Sequence, residues 1–211
     1  MDQNVVVAVF KVESEAYQAM TELRQQVGSK TYFVPAASLV KKENGVVKYL
    51  DGFDTGVNTE NDTIEGGLIG MTVGILGGPI GMLLGASLGT LIGSDIDTGD
   101  ALMDAAMLEQ IANKLDDGMV AIIALETEKT PDELDKKLSA YDTVIARFDA
   151  KAVEKEVEKA AELQEEMARQ AREQLRKEKE EEAKKKAEET MEEARRISEE
   201  NIELIKKEFD K

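Results

Sequence analysis

Asp95 and Asp97, one residue apart and followed by Thr98, have the spacing of the paired aspartates that serve phosphoryl transfer. The rest of such a site is missing, and Asp97 is well placed to cap a helix with Asp100 in its first turn, where the helix dipole favours an acid. Asp51, Asp54, Glu60 and Asp62 form a second acidic stretch, of the kind a hard cation such as Ca²⁺ or Mg²⁺ needs for its several oxygen ligands. Phe53 and Thr55 stand where the helix-loop-helix calcium pattern requires ligands, so a solvated loop is expected instead. A phosphate-cradling loop is excluded too, because no GxGxxG occurs and no lysine follows a GxxxxG. With no histidine and no cysteine, the chain lacks the groups for disulfides, thiol chemistry, ordinary zinc sites and histidine-based triads. The tyrosines, Tyr17, Tyr32, Tyr49 and Tyr141, are scattered and read as core or strand residues. The expectation is a non-enzymatic protein with no cofactor and no metal.

Charge narrows the partners. Forty-four acidic against 27 basic residues leave a formal net charge of -17. Such a surface repels phosphate backbones, so no nucleic-acid partner is expected. The N-terminus, MDQNVVVAVFKVESE, has no basic region ahead of its apolar run and does not read as a signal peptide. A cytoplasmic location is the resulting expectation.

The least ordinary stretch is Gly66 to Gly93, GGLIGMTVGILGGPIGMLLGASLGTLIG, which carries no charge in a chain that is 34% charged. It holds ten of the sixteen glycines. Nine of them fall on two combs of period four: Gly66, Gly70, Gly74, Gly78, then Gly77, Gly81, Gly85, Gly89, Gly93. Residues four apart share a helix face, so each comb strips one side of a helix to backbone and lets another helix approach closely. Each glycine disfavours a solvated helix by about 1 kcal/mol relative to alanine. Close packing or a membrane must offset that, which makes these glycines and Pro79 the candidate assembly residues.

One straight helix of this length would reach about 42 Å and could cross a bilayer once. Gly77-Gly78-Pro79 at its centre argues instead for a hairpin whose arms, roughly 18 to 20 Å each, are too short to cross. If the strands before and after the segment share one sheet, a single crossing is impossible. Two surroundings suit a hairpin. Membrane contact fits its apolar, glycine-packed character, although its flanks are acidic where anionic lipids attract Lys and Arg. A soluble homo-oligomer in which hairpins bury one another fits equally well, since the apolar surface would otherwise aggregate.

The elements around the insert read as strands at Val5–Phe10, Tyr32–Lys42, Val46–Leu50, Met119–Leu125 and Thr143–Phe148. Asn44-Gly45 is the pair favoured in two-residue hairpin turns. Helices are expected from Ser14 to Val27 with Gly28 as stop, over Gly99–Leu115, and after the Thr130-Pro131-Asp132-Glu133 capping box. A polar loop is expected over Asp51–Glu65. With the insert removed the order is β-α-β-β-α-β plus an α-β extension, which predicts an α+β fold: a ferredoxin-like body over residues 1–149, with the hairpin inserted at 64–94.

From Ala150 to Lys211 there is no Gly or Pro, and sixteen basic against twenty acidic residues give -4, leaving -13 for the rest. This predicts one long charged helix. Val153, Val157, Ala160, Gln164, Met167 and Ala171 make one weak seam; Ala183, Ala187, Thr190, Ala194, Ile197, Asn201 and Leu204 make another, out of phase. The helix is therefore either solvated or packed as a coiled coil.

The motifs VVVAVF, FDTGVNTENDT and the glycine run through its trailing DTGD resemble an uncharacterised bacterial family catalogued as a domain of unknown function. Its members are often labelled predicted membrane proteins, and the resemblance covers roughly residues 1 to 150. It implies membrane association and no catalytic residue. The combined expectation is a structural protein that forms a homo-oligomer through its glycine-zipper hairpin at a membrane. The alternatives are a soluble particle with hairpins buried between subunits, or a small-ligand sensor on a ferredoxin-like sheet.

Overall fold

The computed structural model describes residues 3–25, 32–56, 65–85, 106–128 and 133–209. The expected stop at Gly28, the Asp95/Asp97/Asp100 cap, Glu60, Asp62, the Thr130-Pro131 cap, Gly89 and Gly93 lie outside them.

Five strands form one antiparallel sheet in the order β3-β2-β4-β1-β5: β1 (Gln3–Phe10), β2 (Tyr32–Glu43), β3 (Val46–Asp54), β4 (Val120–Glu128) and β5 (Thr143–Asp149). The helices are α1 (Glu13–Gln25), α2 (Glu65–Leu76), α3 (Pro79–Gly85), α4 (Ala106–Lys114), α5 (Glu133–Leu138) and α6 (Ala150–Phe209). The fold is α+β.

The apolar run Val5–Phe10 is buried along its whole length because strands pair with it on both sides, β4 on one and β5 on the other. The expected α-β extension is therefore integral to the sheet. The buried backbone N–H and C=O groups of a central strand need ladder partners on both edges, and β5 supplies one from Asn4↔Asp149 to Phe10↔Thr143. The outermost strand at the other edge is β3. The crossovers β1-α1-β2 and β4-α5-β5 interleave, each skipping over one strand of the other pair.

Asn44 and Gly45 turn the β2-β3 hairpin with φ of 54° and 76°, the left-handed pair that a two-residue turn requires. β3 runs four residues past its expected end at Leu50. A bulge inserts Leu50 between the pairs Leu39↔Asp51 and Val40↔Tyr49, and Asp51–Asp54 then continue along β2. Arg24 of α1 compensates the acid this places in the strand, donating to both carboxylate oxygens of Asp51 at 2.9 and 3.0 Å. The same guanidinium lies 5.7 Å over the Phe53 ring. These residues of the expected solvated loop are thus engaged in the sheet.

One face of the sheet packs on α1 and α5 through Phe10, Met20, Leu23, Leu39, Ile122, Leu134 and Leu138. On the other face α2 lies against β2, β3 and β4, and α3 packs on α4. The chain divides into two compact units, Met1–Gln164 and Glu165–Lys211. In the first, Val153, Val157 and Ala160 of α6 are buried. In the second, Ala183, Ala187, Thr190, Ala194 and Ile197 are exposed, and ion pairs such as Lys177–Glu173 and Arg195–Glu199 run along the helix at one-turn spacing.

Candidate functional site

The glycine segment breaks into two helices at Gly77-Gly78, where the doublet and Pro79 had marked a turn. The chain enters it from β3 and returns in β4, strands of one sheet, so a single bilayer crossing would tear the sheet apart. Among the described residues no helix is long and apolar enough to cross a membrane.

α2 has two faces. Leu68, Ile69, Thr72, Val73, Ile75 and Leu76 are buried. Thr72 satisfies its hydroxyl in place by donating to the Leu68 carbonyl at 2.8 Å. The expectation that the insert is hidden by something outside its own subunit is thereby corrected for this side, since the chain's own sheet covers the aliphatic residues. Gly67, Gly70, Met71 and Gly74 are exposed. At 3.6 residues per turn these four occupy a single arc of about 100°.

The combs separate by what lies against them. A side chain added at Gly67, Gly70 or Gly74 would meet nothing within 4 Å. At Gly77 the added carbon would sit 2.8 Å from the Val47 carbonyl oxygen of β3. At Gly78 it would collide with the Gln164 side chain, and at Gly81 with the backbone of Leu76. Gly77, Gly78 and Gly81 therefore serve close approach within the chain, and Gly70 and Gly74 do not. Of the other predicted assembly residues, Pro79 opens α3 and is exposed, while Gly66 and Gly85 lie in α2 and at the end of α3. Exposed Met82 adds apolar surface on α3.

Two acidic features escaped sequence reasoning. Glu156 of α6 accepts from the backbone N–H groups of Met107 and Leu108 at 3.1 and 2.6 Å, holding an anion at the start of α4. Burial nonetheless pushes its carboxyl above the usual range. The second is a cluster on β4, β5 and α5. Arg147 donates through Nη1 to Glu126 at 2.6 Å and through Nη2 to Asp135 at 2.6 Å, with Glu128 3.4 Å from Nη1. Glu126 is fully buried. Burial, and then the neighbouring Glu128 carboxyl, push its carboxyl up to about 9 against the pull of Arg147. The available signal was the alternation Glu126-Thr127-Glu128, which puts two acids on one strand face. Ending β4 at Leu125 hid it. Among the described residues no group of three metal-ligating side chains is assembled.

No curated protein and no solved structure matches the chain. Residues 63–188 match a family described as a protein of unknown function, DUF1269. The match starts beside α2 and runs into α6, leaving β1, α1, β2 and β3 outside it, so it lies further along the chain than the resemblance over residues 1–150 implied. The chain belongs to the DUF1269 family.

Proposed function

We propose that this is a non-enzymatic protein that self-associates through the glycine face of α2. The observation that supports the reading is the open arc of Gly67, Gly70 and Gly74 on a helix whose opposite side is fully packed. Three glycines there disfavour the helix by about 1 kcal/mol each. Nothing among the described residues of the same chain uses the bare backbone they leave. A second α2 can use it: two such faces across a two-fold axis bring the helix backbones together at glycine, with Met71 and Met82 supplying apolar area at the margins. The membrane-associated form of this reading uses the same arc against lipid, and the α6 seams of the second unit would then serve as lateral coiled-coil contacts.

Light scattering and sedimentation of the full-length protein in detergent-free buffer test it. The wild type is expected as a discrete homo-oligomer at micromolar concentration, and the double variant Gly70→Leu/Gly74→Leu as a monomer with unchanged circular dichroism, because both leucines enter open space. The milder Gly70→Ala/Gly74→Ala pair should raise the stability of the isolated subunit by about 1 to 2 kcal/mol through helix propensity alone. A monomeric wild type, or leucine variants of undiminished particle size, overturns the proposal.

A further inference from the structure

In the cluster around Arg147, Glu126 Oε1 is buried and has no hydrogen-bond partner among the described residues. Glu126 is fully buried, its Oε2 takes the Arg147 hydrogen bond, and its Oε1 accepts none from any described residue. Glu128 sits two residues along the same strand face, with Oε1 accepting from the Leu134 N–H at 2.9 Å and Oε2 facing the same Arg147 nitrogen. One guanidinium thus meets three carboxylates from two elements, β4 and α5. Two buried carboxylates this close cannot both stay ionised.

We infer that Glu126 and Glu128 hold a single proton between them, that this proton lets Arg147 clamp α5 and β5 onto β4, and that its loss to base opens the corner. The proton on Glu126 Oε1 turns an orphan acceptor into a donor toward Glu128, which gives that buried oxygen a partner. Of the groups around Glu126, the carboxyl of Glu128 on its own strand favours holding the proton, and Arg147 on β5, the cation in contact among the described residues, opposes it; Asp135 on α5 shares that guanidinium and Tyr32 lies on β2. Beyond Tyr32, Glu22 of α1 is already occupied by Tyr141 at 2.8 Å and Lys137 at 3.2 Å. The second face of the clamp is the pair Arg147–Asp135, so charge repulsion inside the cluster is felt by α5 directly.

The sign follows from linkage. Glu126 has an ordinary value of 4.5 and a folded value of about 9, so across that window the closed corner holds a proton that the open one releases. Stability is therefore greatest at the acid end and is lost as pH rises. Hydrogen exchange of the β5 amides and of Leu134 reads this, with Glu126→Gln as reference, because glutamine keeps the protonated shape and cannot titrate. Relative to that variant, the opening constant of the wild type should rise about tenfold per pH unit between about pH 5 and 9. The carboxyl carbon resonance of Glu126 in the wild type, followed by NMR, should titrate above pH 7. Parallel pH dependences in the two proteins, or a Glu126 resonance that titrates in the ordinary carboxylate range, overturns the inference. The resonance measurement needs no variant to fold.

Discussion

Arg147→Ala is expected to lower the stability of the folded chain by about 3 to 5 kcal/mol at pH 7, the scale seen when one partner of a buried ion pair is removed. That is a large part of the 5 to 15 kcal/mol typical of a domain. The guanidinium is the shared partner of Glu126, Glu128 and Asp135, so its loss strands two buried carboxyls and frees α5 from β5. Packing alone cannot explain such a cost, and pH distinguishes the two. The deficit should shrink at pH 5, where the one charge that the Glu126–Glu128 pair still carries at pH 7 can take up a proton, whereas a packing loss would be indifferent to pH. Urea denaturation of both proteins at pH 5 and pH 7 provides the check. Arg147→Lys should recover little, since one ammonium cannot place two nitrogens on carboxylates from different elements.

Gly81→Ala should destabilise by about 2 to 3 kcal/mol, the reverse of the gain expected at Gly70 and Gly74. All three glycines are helical, and propensity favours alanine at each by about 1 kcal/mol. The difference is the neighbour. An added carbon at Gly81 strikes the carbonyl of Leu76, the last residue of α2, and backbone cannot turn aside as a side chain can. Relief requires α3 to move off α2, disturbing Ile80 and Leu84, both buried. Thermal melts of the three single alanine variants give the opposite signs directly. Equal shifts at Gly81 and Gly74 would mean that α2 and α3 do not meet closely at that point.

Much of the framework was legible in the chain itself. Val5–Phe10 had to be central because it has no polar face, Asn44-Gly45 had to turn because it readily takes positive φ, and the gap-free run of Ala, Glu, Lys and Arg from Ala150 had to be helical. Strand ends were harder. β3 and β4 each run past the ends read from the sequence, Leu50 and Leu125, because Arg24 and Arg147, distant in sequence, pair with Asp51 and Glu126 just beyond those ends. The partner of a strand-end charge is a tertiary fact and leaves no local pattern.

The same limit applies to the glycine segment. Period four placed glycines on common helix faces, and Gly77-Gly78-Pro79 marked the break; both follow from backbone geometry and proline's missing donor, which are local. Composition determined as well that no histidine or cysteine chemistry is available to this protein. Only the tertiary structure decided which glycines are spent inside the chain, at Gly77, Gly78 and Gly81, and which lie open, at Gly67, Gly70 and Gly74. A glycine has no side chain to show which way it faces. Its role is set by the atoms that approach it, and those come from β3, α6 and the last residue of α2.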